Sequence, residues 1–323
     1  MKSLCIFSGG LDSILAVELI RAQDIEVQAL FFETPFFSSG KAINSARSIH
    51  LPLRIVDITK LHLEMIKHPI HGYGGNMNPC IDCHTLMFRI AAGILEEERA
   101  SFVFSGEVLG QRPMSQNIKA LSLIASESGL GGLILRPLSA RHLAPSIPEN
   151  NGWIKRDLLL NFQGRSRKPQ MELARKLHIG EYPTPAGGCL LTEEVFSRRL
   201  KDLFHFKSEQ ELREIELLKM GRHFRINSQA KIVVGRNKKE NEDIHALFRD
   251  KDVILTSASL PGPIVLFLGN PSSEALELAA AITVSYSDAE EGNAADVKII
   301  GITGVKIMMS EVRDKAEFRR YMI

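Results

Sequence analysis

The chain has 323 residues, 44% of them hydrophobic, with 40 lysines and arginines against 38 aspartates and glutamates. That length can bury one large core or two domains, and the formal charge of +2 excludes overall basicity as a route to nucleic acid, leaving only local clustering. No apolar run reaches the roughly 18 residues that span a bilayer, and four cysteines without a cleavable signal predict a cytoplasmic protein with no membrane partner, whose thiols serve metal or sulfur chemistry.

Leu4 to Phe7 reads as a strand, and a helix follows from about Asp12 to Gln23. Between them, Ser8-Gly9-Gly10-Leu11-Asp12-Ser13 is a glycine turn. Its backbone can approach a ligand, its serines supply hydroxyls, and the next helix aims its positive end into it. Such a turn suits phosphate, although an ordinary helix cap would also place Asp12 and Ser13 here. The lysine of G-x-x-x-x-G-K-S/T is missing, which argues against γ-phosphoryl transfer.

Strands over Ile25 to Phe32, Leu53 to Ile58 and Ser101 to Phe104 alternate with helices over Lys41 to His50 and Leu86 to Glu98. This order predicts an α/β domain with a parallel sheet and ligands at the carboxyl ends of its strands. Glu107 and Gln111 follow the last of these strands, where they can order a nucleotide or magnesium.

His71 to Met77 contains three glycines and reads as a loop leading to Cys80-Ile81-Asp82-Cys83. This C-x-x-C can chelate a metal, form a redox pair, or supply one nucleophile, with its thiolate favoured by the dipole of the helix that follows. Cys189 again follows two glycines, whereas Cys5 lies inside the first strand and reads as packing. Three cysteines do not by themselves close a four-ligand zinc site, although His84 could supply a fourth ligand, and they can hold three irons of a 4Fe-4S cluster and leave the fourth open for sulfide.

Ser8-Gly9-Gly10-Leu11-Asp12-Ser13 resembles the PP-loop of enzymes that cleave ATP between its α- and β-phosphates and leave AMP on a carbonyl oxygen. The resemblance implies that Ser8, Gly9, Gly10 and Ser13 hold pyrophosphate and that Asp12 serves Mg2+. Asn78-Pro79-Cys80-Ile81-Asp82-Cys83-His84, followed by Phe88, is similar to the N-P-x-x-x-C-N stretch of tRNA 2-thiouridylases, which puts Cys83 at the catalytic cysteine and Cys189 at the second. Ser105-Gly106-Glu107-Val108-Leu109-Gly110-Gln111, followed by Ser115-Gln116, is similar to a stretch of 4-thiouridine synthetases. Cys80 is a thiol that many 2-thiouridylases lack, and it moves the resemblance toward cluster-dependent thiolases, with Cys80, Cys83 and Cys189 as the ligands.

Two tracts are locally basic. Ile154 to His178 carries seven lysines and arginines against two acids, and Lys219 to Lys239 carries seven against none, so both can contact phosphate backbone or simply be solvated faces. The charge pattern changes near Lys201 to Leu218, which puts the boundary between a domain over 1–205 and a smaller α+β domain over 206–323. In the second domain, Gly235-Arg236-Asn237-Lys238-Lys239-Glu240-Asn241 and Pro261-Gly262-Pro263 resemble elements of NFACT-R RNA-binding domains.

The expectation is an ATP-dependent tRNA sulfurtransferase that adenylates a uridine oxygen and replaces it with sulfur from a persulfide protein or sulfide. The alternatives are a PP-loop enzyme acting on a small molecule, with structural zinc and a C-terminal module that forms a homodimer, and a non-catalytic RNA-binding adaptor.

Overall fold

The computed structural model describes residues 1–180, 182, 189–302 and 304–323. It divides into two compact units, Met1–Thr192 and Glu193–Ile323.

In the first unit, β1 (Lys2–Ile6), α1 (Leu11–Arg21), β2 (Glu26–Glu33), α2 (Gly40–Ser48), β3 (Leu53–Asp57), α3 (Thr59–Lys67), α4 (Cys80–Glu97), β4 (Phe102–Ser105), α5 (Ile118–Glu127), β5 (Ile134–Leu135), α6 (Ile147–Asn150) and α7 (Lys168–Lys176) follow one another. The strands form one parallel sheet in the order β3-β2-β1-β4-β5. Both faces are buried. Phe7, Ile14, Val17 and Phe104 belong to one core, and Leu4, Leu30, Phe88 and Val103 to another. The chain winds from β1 outward to β3 and then returns to β4 on the other side of β1. This leaves the reversal of strand order between β1 and β4, where the carboxyl ends of open α/β sheets bind ligands. The turn after β1 and the Gly106-Glu107 segment after β4 flank that position.

Two features differ from the sequence expectation. The helix expected from Leu86 begins at Cys80, so both cysteines of C-x-x-C lie in its first turn and not in the loop before it. The helix Glu194–Phe206 (α8), expected in the first domain, belongs to the second unit, so the boundary falls at Thr192 and not at 205. The physical reason is its buried face. Arg199 donates to the carbonyls of Leu218 at 2.7 Å and Gly221 at 2.9 Å, and Asp202 accepts from Arg225 at 3.0 Å and from Lys231 at 3.1 Å.

The second unit continues with α9 (Leu212–Leu217), β6 (Arg222–Asn227), β7 (Ala230–Val234), α10 (Lys238–Ala246), β8 (Val253–Ser257), β9 (Val265–Gly269), α11 (Ser273–Ser285), β10 (Ala294–Gly301) and β11 (Gly304–Glu311). Its strands make an antiparallel sheet in the order β11-β10-β8-β9-β7-β6. The small residues Ala275, Ala279 and Ala280 of α11 share a core with Phe224, Ile232 and Phe267. Among the described residues no helix is long and apolar enough to cross a membrane.

Candidate nucleotide and sulfur site

The turn after β1 is built for close approach. Gly9 has φ +73°, and a Cβ there would stand 2.6 Å from the Cα of Ala42. Its carbonyl accepts from Ser45 Oγ at 2.7 Å, pinning the turn to α2. Ser13 Oγ donates to the Gly10 carbonyl at 2.8 Å and lies 3.4 Å from Ser8 Oγ, while Gly10 N donates to Ser8 Oγ at 3.3 Å. The residue preceding α1, Gly10, supplies no side-chain cap, so the first-turn N–H groups are left to a ligand.

Asp12 is the centre of this turn. Its Oδ2 accepts from Gln111 Nε2 at 3.0 Å and lies 3.9 Å from Arg167 Nη2. Its Oδ1 is buried without a partner among the described residues, and so is Arg167 Nε. A buried carboxylate oxygen without a donor is costly, and a divalent cation or a hydrated phosphate would satisfy it. The residues therefore fit ATP with Mg2+. Arg167 lies in the basic tract that could contact phosphate backbone or be a solvated face, and the structure places it beside Asp12. Only the fold brings it there, through the packing of α7 along α1.

The cysteines form a second cluster of groups. Cys83 N donates to the Pro79 carbonyl at 2.9 Å, and Asp82 accepts from Ile70 N at 2.9 Å and His71 N at 3.1 Å, fastening the glycine loop to the start of α4. Met77 N donates to the Leu191 carbonyl at 3.2 Å and Asn76 Nδ2 to the Thr192 carbonyl at 2.7 Å, which joins the loop before Cys80 to the segment carrying Cys189. Gly187 and Gly188 lie outside the described residues.

Burial pushes the Cys83 thiol well up, and the neighbouring Cys189, Cys80 and Asp82 push in the same direction. Burial also raises Cys80, against the opposing charge of Arg112. The helix dipole expected to favour thiolates is thus outweighed by desolvation. Cys5 is buried inside β1, as expected of packing. Cys80 and Cys189 both lie near enough to Cys83 to act on its thiol, yet among the described residues no group of three His, Cys, Asp or Glu side chains is assembled as a metal site.

Sequence reasoning missed His62. It is fully buried on α3, between the rings of Phe36 and Phe37 at centroid distances of 5.5 and 5.6 Å, and its Nε2 is 3.3 Å from Cys83 Sγ. Burial lowers its pKa to about 4, so it is neutral at physiological pH. No local motif marks it.

Glu107 is not open to a metal. It is 6% exposed; one oxygen faces His84 Nδ1 at 2.8 Å, and the other accepts from Arg136 Nε at 2.8 Å and Ser105 Oγ at 2.9 Å. Burial alone would raise its pKa, but the Arg136 charge and the His84 hydrogen bond prevail and hold it at about 2. Of the two residues expected to order nucleotide or magnesium after β4, only Gln111 reaches Asp12.

In the second unit, the G-R-N-x-x-E-N residues hold the fold together. Asn237 caps α10 by accepting from Glu240 N at 3.0 Å, Glu240 accepts from Gly221 N at 3.2 Å, and Asn241 accepts from Ile264 N at 3.0 Å. Much of the basic tract is paired: Arg225 and Lys231 with Asp202, Lys219 with Glu216, and Arg236 with Glu240. Lys238, with its side chain 92% exposed, meets Glu242 only at 4.0 Å.

Residues 1–142 match the family described as thiamine biosynthesis protein (ThiI), and residues 221–322 match the family described as NFACT protein RNA binding domain. A probable tRNA sulfurtransferase of Oceanobacillus iheyensis is 29% identical over 146 residues, covering 42% of this chain and 34% of the relative. One of Thermotoga maritima is 33% identical over 149 residues, covering 43% and 36%. The chain thus spans about a third of the length of these relatives. A solved 4-thiouridine synthetase in complex with RNA and ATP is 30% identical, with a TM-score of 0.37, over 42% of this chain and 36% of that one.

Proposed function

We propose that this chain, whose first unit matches the ThiI family and whose second matches an RNA-binding domain, is an ATP-dependent tRNA sulfurtransferase. One observation carries the reading. A glycine turn with an unsatisfied Asp12 oxygen and the Cys83 thiol, with Cys80 and Cys189 near it, occupy the same unit, and β4 and α4 connect them.

Ser8, Gly9, Gly10 and Ser13 hold the β- and γ-phosphates, Asp12 serves Mg2+, and Arg167 and Gln111 orient Asp12 and the phosphates. A uridine carbonyl oxygen attacks the α-phosphorus and pyrophosphate leaves. Hydrosulfide, or the outer sulfur of a persulfide, then attacks the carbon that bears this oxygen, the C–O bond breaks, and AMP leaves with the oxygen. This converts a poor leaving group into a good one. The second unit supplies affinity for RNA, and the target base has to leave its stack to reach the turn.

A 4Fe-4S cluster held by Cys80, Cys83 and Cys189 would supply an open iron for sulfide, and it requires these three soft donors to draw together from positions that form no assembled metal site among the described residues. The competing reading is a persulfide on Cys83 whose outer sulfur bonds to the base carbon while Cys189 attacks the Cys83 sulfur, leaving a Cys83–Cys189 disulfide that an external thiol reduces; the His62 contact to Cys83 favours it because a neutral imidazole can hydrogen-bond to a lone sulfur. The sulfur donor is a persulfide protein or free sulfide. The test is anaerobic incubation with ATP and unmodified tRNA, with sulfide in one reaction and a persulfide donor in another: AMP, pyrophosphate and a thiolated nucleoside in equal amounts with either donor support the reading, and ATP cleavage without any thiolated nucleoside with both donors rejects it.

A further inference from the structure

We infer that His84, held by Glu107, is a positioning residue that sets the sulfur-carrying end of α4 against the nucleotide turn. The inference rests on the sulfurtransferase reading and adds to it the means by which adenylation and sulfur delivery are kept at one spacing.

The residues after β4 form a rigid bracket. Gly106 has no room for a side chain: a Cβ there would stand 2.5 Å from Ser13 N and 2.6 Å from the Asp12 carbonyl carbon, so this backbone lies directly on the nucleotide turn. The next residue, Glu107, is buried and reaches the other way. It is held by Arg136 and Ser105 and meets His84 Nδ1 at 2.8 Å. An ionised carboxylate only accepts, so Nδ1 carries the proton and the ring's tautomer and orientation are fixed.

His84 adjoins Cys83 in the first turn of α4. One path from Asp12 to Cys83 thus runs through Gly106, Glu107 and His84, crossing one close backbone contact and one charge-assisted hydrogen bond, beside the packing of α4 on β1 and β4. Such a bond is shorter and stronger than a neutral one, and it lies in a buried, water-poor setting. The ring itself is half-buried, so the arrangement does not serve core packing. Misplacing a nucleophile by an ångström can cost about a hundredfold in rate, so a spacer of this kind has a measurable consequence.

The test separates the two half-reactions. Full-length His84→Leu and His84→Asn are purified anaerobically and given ATP and unmodified tRNA with sodium sulfide or, in a parallel reaction, a persulfide donor; the donor that supports wild-type thiolation is used, and AMP and thiolated nucleoside are counted in the same reaction. His84→Leu is expected to cleave ATP within about twofold of wild type while thiolated nucleoside per AMP falls by about tenfold or more. His84→Asn, whose amide N–H can reach Glu107, is expected to restore most of that ratio. Equal loss of both products in His84→Leu, an unchanged ratio, or no recovery in His84→Asn overturns the inference. A wild-type protein that cleaves ATP and never thiolates tRNA sinks the sulfurtransferase reading and this inference with it, whereas a thiolating wild type matched by His84→Leu sinks this inference alone.

Discussion

Gln111 donates to Asp12 Oδ2 at 3.0 Å across 99 residues of chain, while the other oxygen of Asp12 is buried with no partner among the described residues. The carboxylate is thus aimed by one neighbour and left open on its other side. An oxygen in that condition, at the start of a helix beside a glycine turn, can accept a cation or a water.

Asp12→Ala is expected to lower formation of AMP and pyrophosphate by about 100-fold or more, the scale of losing one preorganised charge at a phosphoryl centre. The fold should tolerate it, with a stability change within about 1 kcal/mol, because the lost bond to Gln111 is offset by removal of an unsatisfied buried oxygen. Nucleotide products resolved by chromatography, together with a thermal melt, check both parts. ADP as the main wild-type product would reject the nucleotide assignment.

The cysteines discriminate two sulfur mechanisms. With a cluster, serine at any of Cys80, Cys83 or Cys189 removes iron and thiolation together, since a hydroxyl is a poor substitute for a soft thiolate. With a persulfide relay, Cys80→Ser keeps most of its activity without iron. Iron and sulfide analysis beside the thiolation assay distinguishes them.

RNA affinity should fall with salt by about 0.9 log unit per log unit of salt for each duplex phosphate neutralised. The paired and free cations of the second unit predict different variants. Lys238→Glu with Lys239→Glu should lower affinity and flatten the salt slope by up to about 2, because Lys238 stands in solvent with only a distant acid and Lys239 is exposed. Lys231→Ala should leave the slope unchanged and lower the melting temperature, because Lys231 is buried against Asp202. Filter binding across a salt series and a melt of each variant are the measurements.

Acid should weaken the first unit through Glu107. Its folded pKa, about 2, lies below the ordinary 4.5, so the stability it contributes is fully present above pH 4.5 and is lost as pH falls toward 2. The contribution is on the order of 3 kcal/mol. Glu107→Gln should be less stable at pH 7, by several kcal/mol if Arg136 is left as an unpaired buried charge, and its stability should vary less between pH 4.5 and 2. Denaturant melts of both proteins across that range test the sign.

Local pattern determined much of this protein. Apolar runs bounded by glycine and alternating with helical stretches specify a parallel sheet, because strand and helix periodicities are written in neighbouring residues. The glycine turn at Ser8 to Ser13, the spacing of Cys80 and Cys83, and the clustering of basic residues are local for the same reason.

Tertiary structure decided which of these residues meet and what their charges do. His62 reaches Cys83 from another helix, Arg167 of the basic tract stands beside Asp12, and Glu107, expected to order nucleotide or magnesium, is held in a buried ion pair with Arg136. The boundary moved to Thr192 because the contacts of Arg199 and Asp202 are with residues that follow them, which the composition of their own helix does not record. Desolvation reversed the expected thiol shift for a related reason. Burial and partner choice depend on chain segments tens of residues apart, and in a low-dielectric interior those distant neighbours outweigh the local helix dipole.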